Sequence, residues 1–341
     1  MPLTNFIILI TFNLIVYWII IKYRYRISEK LRILDIPNIA RKKHSKPMPL
    51  IGGIQIFFFL TIFFLADYFL KNLIIFDSSI YLICLFVFII GFIDDRSHLS
   101  GYIKLGSLYL ILLLCLFFSE TLILNKLYFE TFSKLFNLGY FNIFLTAFFI
   151  VALINAYNLC DGINGLALII GIIWITYLNF FLYEINNLFI IFFIILLIVT
   201  IYFNLKNYFY LGDSGSMLLP TFIGLITIHE YNKNLNDLTF IPVEKIFILF
   251  MIPGLDMCRV FYIRLINKKD PFTGDRDHLH YYLINKYNNI TTLLIYSLLM
   301  IVPLIVVEFT EISLIKIILV YSIFFFLICG YLRNISKSKN L

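Results

Sequence analysis

Charge is scarce in this chain. Only 14% of its 341 residues are Asp, Glu, Lys or Arg, against roughly 25% in soluble globular domains. With 61% hydrophobic residues and a mean hydropathy of +0.94, that deficit excludes an ordinary soluble domain. Cysteine is sparse too: Cys84, Cys115, Cys160, Cys258 and Cys329 lie scattered in apolar stretches with no CxxC pair. They read as small buried hydrophobes, with neither a disulfide framework nor a zinc role. No Pro-, Gly- or Ser-rich linker and no internal repeat interrupts the sequence, so a single domain covers 1–341. The apolar runs are continuous instead of alternating, which excludes a closed β-barrel.

What is present is a series of apolar runs near the length that crosses about 30 Å of hydrocarbon. They predict an all-α, polytopic membrane protein of about eleven transmembrane helices. The spans are 5–21, 52–70, 79–93, 103–118, 141–157, 163–182, 186–202, 214–229, 244–263, 291–307 and 313–330. The first has no basic residue before it, a dense basic stretch after it and no small-residue cleavage pattern. It predicts an uncleaved anchor with the N-terminus outside. Under that topology the inner segments hold 20 Lys and Arg residues and the outer ones 6, the bias that sets orientation. The C-terminus is then cytoplasmic. The net charge of +7 faces anionic headgroups of membrane lipids and needs no nucleic-acid partner. Segments 22–50, 94–102, 203–213 and 264–290 form the cytoplasmic face. Two of them, 22–50 and 264–290, exceed ordinary connections, and long loops are where binding functions concentrate.

Acidic and amide side chains gather at the inner helix ends. A carboxylate at a bilayer edge costs a few kcal/mol, so each needs a partner or a task. Asp94 and Asp95 close the third span, where two neighbouring carboxylates repel unless a cation such as Arg96 or Lys104 lies close. Alone, the pair reads more simply as a solvated helix end. In NAYNLCDGINGL, Asn155, Asn158 and Asp161 recur every three residues and share a helical face. Gly162 and Gly165 let backbone approach a ligand, and amide oxygens with a carboxylate suit a hard cation such as Mg²⁺. In YLGDSGS, Asp213 or Ser214 suits a helix cap, and the same helix N-terminus suits a phosphate; the motif alone does not decide. The run PFTGDRDHLH contributes Arg276, His278 and His280, which fit a pyrophosphate or sugar phosphate better than zinc, since no third ligand accompanies them. Arg41, Lys42 and His44 sit among Pro37, Pro47, Pro49 and Gly52-Gly53, the makings of a shaped loop. Arg259 beside Asp256 reads as an ion pair between helix turns.

Taken in order, these patterns resemble the polyprenyl-phosphate N-acetylhexosamine-1-phosphate transferase family, within glycosyltransferase family 4, over roughly residues 35–283. The resemblance implies Asp213 as a metal-binding aspartate joined by Asn158. It implies Asp94 and Asp95 as the family's aspartate pair near the lipid phosphate, catalytic together with Asp213. It implies Asp161, Asn164, Gly165 and Leu166 at a nucleoside pocket, and Arg276, His278 and His280 over the diphosphate and sugar. Arg41, Lys42 and His44 match a substrate loop, and Asn155 remains a substrate-face candidate. The implied reaction moves an N-acetylhexosamine-1-phosphate, GlcNAc-1-phosphate first, from a UDP-sugar to undecaprenyl phosphate, releasing UMP and starting lipid-linked glycan synthesis. The implied cofactor is Mg²⁺, with Mn²⁺ as substitute. The implied setting is the inner membrane, multi-pass, with a cytoplasmic active site and a homodimer among the expected partners. Leu279 separates His278 from His280, a departure from the adjacent histidines of MurNAc-pentapeptide translocases that favours the GlcNAc-1-phosphate branch. A non-catalytic carrier would put carboxylates near mid-helix in repeated halves, and these lie at helix ends.

Overall fold

The computed structural model describes residues 3–37, 46–70, 77–181, 187–235, 241–272 and 276–338. Helix α1 (Leu3–Lys22) leads into the short α2 (Arg24–Leu31), bent from it by 74°. Strands β1 (Leu34–Asp35) and β2 (Met48–Pro49) pair antiparallel and lead into α3 (Gly52–Leu70), α4 (Ser78–Ser97) and α5 (Gly101–Phe117). At the opposite end of the bundle a hairpin, β3 (Lys126–Phe129) with β4 (Lys134–Asn137), precedes α6 (Asn142–Cys160) and α7 (Leu166–Leu178). Then follow α8 (Asn187–Leu205), α9 (Gly212–Asn234), α10 (Val243–Ile266), α11 (Leu279–Lys286), α12 (Asn289–Phe309) and α13 (Leu314–Ser338).

Every predicted apolar run coincides with a helix. Among the described residues seven are long and apolar enough to cross a membrane, or eight if the bent α1–α2 pair is one span. Helices α5 and α7 are apolar but shorter, at 17 and 13 residues. Helix α9 is long but carries polar ends, Gly-Asp-Ser-Gly-Ser at its start and His-Glu-Tyr-Asn-Lys-Asn at its finish. Residues 214–228 of α9 are buried throughout, so protein forms its surroundings. The outer helices do the reverse. Leu294, Leu298 and Ile305 on α12, and Leu319, Ile323 and Leu327 on α13, remain exposed, as the surface of a membrane protein requires. Within the segment 264–290, Leu279 of α11 and the residues three and four after it, Tyr282 and Leu283, are buried and fold that helix onto the bundle.

Close backbone crossings bring α3 and α4 onto the start of α9. A Cβ on Gly53 would lie 2.3 Å from the Gly215 nitrogen, and one on Gly91 would lie 2.6 Å from Ser214 Cα. Small residues permit such contact between membrane helices, where close packing, and no hydrophobic drive, holds helices together. Two backbone bonds continue the contact, Gly52 N donating to Tyr210 O at 3.1 Å and Gly53 N to Leu211 O at 2.9 Å. Gly53→Leu and Gly91→Leu are each expected to lower the thermal midpoint in detergent, with a cost at or above the ~1–3 kcal/mol of ordinary overpacking. Gly106→Ala, which meets nothing within 4 Å, serves as the control and should leave the midpoint in place.

Candidate active site

Helix α9 begins in the middle of the protein, and the first amides of a helix have no intrahelical acceptor. Asp95, near the end of α4, supplies one: Asp213 N donates to its Oδ1 at 2.6 Å and Ser214 N to its Oδ2 at 3.0 Å. Gly212 makes room, with φ of +76° and a would-be Cβ 2.8 Å from Asp95 Oδ2. Its neighbour Asp94 turns elsewhere, accepting Leu99 N at 2.7 Å and pairing with Lys104 Nζ at 2.7 Å.

Lys104, in the first turn of α5, is the hub. Its ammonium lies 2.5 Å from Asp213 Oδ1 and donates to Asn158 Oδ1 at 3.3 Å. Asn158, two residues before the end of α6, in turn donates to Asp213 Oδ1 at 2.7 Å and to Ser216 Oγ at 2.6 Å. Four elements (α4, α5, α6 and α9) thus meet on one cation. Among the described residues no three Asp, Glu, His or Cys side chains form a closed metal cage.

A cavity of about 540 Å³ opens beside this cluster, lined among others by Asp95, Asn158, Asp161, Asn164, Asp213 and Arg276. Such a volume suits a small-molecule ligand. Asp161 borders it with part of its surface open. Burial first, then the carboxylates of Asp213 and Asp95, pushes its carboxyl well above the ordinary range. Asn164 reaches Asn207 Oδ1 at 2.7 Å, and Gly165, at φ +86°, donates its N–H to Asn204 Oδ1 at 2.6 Å. Arg276 approaches from the connection before α11 and Tyr281 from the first turn of α11, the guanidinium 5.9 Å from the tyrosine ring centre.

The remaining predicted residues sit elsewhere. Asn155 turns to Met257 Sδ at 3.2 Å on α10, and Leu166 is fully buried in the core. The three-residue spacing placed Asn155 with Asn158, but the face they share is too wide for both to reach the cavity. His278 and His280 are buried, with parallel rings 5.8 Å apart. The ring of His280 lies over Gly162, where a Cβ would come within 2.2 Å of Nε2. Arg41, Lys42 and His44 lie outside the described residues. Sequence reasoning saw Lys104 only as a neutraliser of the aspartate pair, and missed Asn204, Ser216, Tyr210, His98 and Asp35 at the cavity. The Ser216 signal was available, one helical turn after Asp213. Asn204 closes an apolar helix and carries no motif.

Burial lowers the His280 pKa to about 3; Asp256 opposes the shift, and His278 and Arg259 add to it. The folded state therefore binds fewer protons than the unfolded chain below pH about 6.5, and stability falls as pH drops. Between pH 7 and pH 5 this one group should remove about 2 kcal/mol of stability. Thermal melts of the wild type and of His280→Leu across that range check it: the variant should show the shallower pH slope.

Residues 78–230, which contain Asp94, Asp95, Lys104, Asn158, Asp161 and Asp213, match the family model described as Glycosyl transferase family 4. The chain is 29% identical over 283 residues to the undecaprenyl-phosphate alpha-N-acetylglucosaminyl 1-phosphate transferase of Escherichia coli (strain K12), covering 76% of this chain and 71% of that protein. It is 28% identical over 269 residues to the protein of the same name from Thermotoga maritima, covering 79% and 78% respectively. The Salmonella typhi protein of that name is 28% identical over 272 residues, covering 75% and 70%. The similarity to glycosyl transferase family 4 thus covers the residues that build the site.

Proposed function

We propose that this protein transfers an N-acetylhexosamine-1-phosphate, GlcNAc-1-phosphate first, from a UDP-sugar to undecaprenyl phosphate, forming a lipid-linked pyrophosphoryl sugar and releasing UMP. One observation carries the reading: Asp94, Asp213 and Asn158 converge on Lys104 beside a cavity that Arg276 also lines. Phosphoryl transfer asks mainly for positioning and charge neutralisation, and cationic side chains beside acidic ones provide both.

A divalent cation, Mg²⁺ or Mn²⁺, fits this donor set. Asp213 and Asn158 present oxygens beside the cavity, where Lys104 Nζ sits between them, and hard cations of this kind take a carboxylate or two together with substrate phosphates. Asp213 and Asn158 would hold it, and the ion would neutralise charge on the transferring phosphoryl group. The chain's own groups do the rest. Arg276 faces the diphosphate with a planar fork suited to phosphate oxygens, and Lys104 offers a compact charge at the reacting phosphorus. An oxygen of the lipid phosphate attacks the sugar-bearing phosphorus, the bond to the bridging oxygen breaks, and UMP departs. The attacking phosphate has a second pKa of about 6, so it needs no base at neutral pH. That frees Asp95 to cap α9 and Asp94 to hold Lys104. Membranes carrying the protein, supplied with undecaprenyl phosphate, Mg²⁺ and a panel of UDP-sugars, test the proposal. UDP-GlcNAc should be turned over and UDP-MurNAc-pentapeptide ignored. Asp213→Asn should lose at least about 10²-fold in rate, and EDTA should stop the reaction. Undiminished transfer in EDTA or in the variant would sink the assignment.

The same reading makes all eleven apolar helices spans of the inner membrane, with the N-terminus outside and the cavity open to the cytoplasm. The basic residues at the cavity end support it, as does protein packing around the short α7 and the polar-ended α9. A cysteine replacing the exposed Asn267 should react with an impermeant thiol reagent only in opened cells or inverted vesicles. Labelling from outside intact cells would reverse the topology.

A further inference from the structure

Helix α10 carries a charge cluster that the proposed chemistry does not use. Asp256 is 1% exposed and Arg259 8%. Arg259 Nη2 donates to Asp256 Oδ1 at 2.7 Å, and the same guanidinium bonds the Asp277 carbonyl. His278 Nδ1 lies 2.9 Å from Asp256 Oδ2, so the ring donates from Nδ1. Leu279 N, the first amide of α11, donates to both Asp256 oxygens at 3.2 Å. Tyr282 completes the arrangement, its hydroxyl on Asp277 Oδ1 at 3.0 Å and its ring under Arg259. His278 Nε2 is buried with no hydrogen-bond partner among the described residues, and His278 is not among the residues that line the cavity.

We infer that Asp256, Arg259 and His278 form a latch that fixes the start of α11 and so positions Arg276 and Tyr281 at the cavity, with His278 acting through Asp256 and touching no substrate. The inference rests on the transfer reaction proposed above. Its physical basis is the acceptor that Asp256 offers to the α11 N-terminus. A carboxylate there satisfies an amide that lacks an intrahelical partner and meets the positive end of the helix. Asp256 is held on the interior of α10, so the latch registers α11 against the bundle core. Arg276 stands two residues before the latch and Tyr281 three after it, one on each side of the fixed point.

Two isosteric variants separate the nitrogens. Asn at 278 puts an amide nitrogen near the Nδ1 position, whereas Gln puts one near Nε2. His278→Asn is expected to keep the UDP-sugar KM within about 3-fold, while His278→Gln raises it about 10-fold or more, with the KM for the lipid acceptor unchanged in both. Retained function in Gln and loss in Asn, or equal loss in both folded variants, would overturn the latch and give His278 a substrate contact. Hydrogen exchange of residues 278–286 in the unliganded protein is the arm that needs no reaction. Exchange should accelerate in His278→Gln and match the wild type in His278→Asn. Unchanged exchange in both rejects the latch whatever the chemistry. Faster exchange in His278→Gln, in a protein that moves no sugar phosphate, would keep the latch and discard the transfer reading. If His278→Gln does not survive extraction, Arg259→Lys, which keeps the charge but loses the fork shared between Asp256 and Asp277, takes its place with the same expected outcomes.

Discussion

A helix that starts packed against its neighbours must have its first donors met there, and α9 starts against α3 and α4. The amides of Asp213 and Ser214 must find acceptors nearby, and Asp95 supplies one oxygen to each. The carboxylate also meets the positive end of the helix macrodipole, where negative charge is stabilised. This bond is possible only because Gly212 takes a left-handed φ beside Asp95 and because Gly53 and Gly91 let α3 and α4 come within backbone contact of α9. Once α9 is anchored, Asp213 faces Lys104, Ser216 faces Asn158 one turn later, and the cavity wall follows from those placements. The cap of α9 and the wall of the cavity have the same solution.

Charge balance then constrains what the cavity can receive. Asp94, Asp95 and Asp213 stand against Lys104 and, farther out, Arg276. Asp161 and Asp35 add two more carboxyls at the cavity, and burial together with acidic neighbours raises the Asp161 pKa. Acidic side chains therefore outnumber basic ones around the cavity before any phosphate arrives. A diphosphate donor and a phosphate acceptor would add several further charges of the same sign, and bare repulsion of that kind is costly in a site partly shielded from water. Within the proposed reaction, this is the physical argument for a divalent cation. Asp213 is the acidic group best placed for it, with a third of its side chain open while Asp94 is nearly closed off.

The bundle was legible because long apolar runs are the strongest signal a sequence carries. The eleven runs match eleven helices. Their lengths were harder to read, since α7 is apolar but only 13 residues and α9 is central but polar at both ends. At the site, the meeting of Asp94, Asn158 and Asp213 followed from their common position at helix ends on one side of the bundle. The division of labour between Asp94 and Asp95 did not, because it depends on the rotation of α4 against α9, a packing property absent from local sequence. Lys104 looked like a local neutraliser, yet its four-carbon stem reaches across to α6 and α9. Asn155 shared the spacing and Leu166 the motif, but they fall on faces that meet α10 and the core.

The two histidines of the last motif show why a shared pattern does not imply a shared role. Their rings stack in parallel, with His278 at the extended cap of α11 and His280 inside its first turn. Only His278 meets a carboxylate. His280 is enclosed by Gly162 and Tyr281 and stays neutral. A buried ion pair such as Asp256–Arg259 is weak evidence for stability, since apolar residues of the same volume often do as well. Its presence inside an otherwise apolar helix is better explained by what it holds. Asp256 receives the ring of His278 and the first amide of α11, and Arg259 receives the carbonyl of Asp277. Three consecutive residues are thereby fixed to one turn of α10. The segment between Arg276 and Tyr281 consequently has little freedom of its own, and the cavity's cationic wall is set by charges buried one layer behind it.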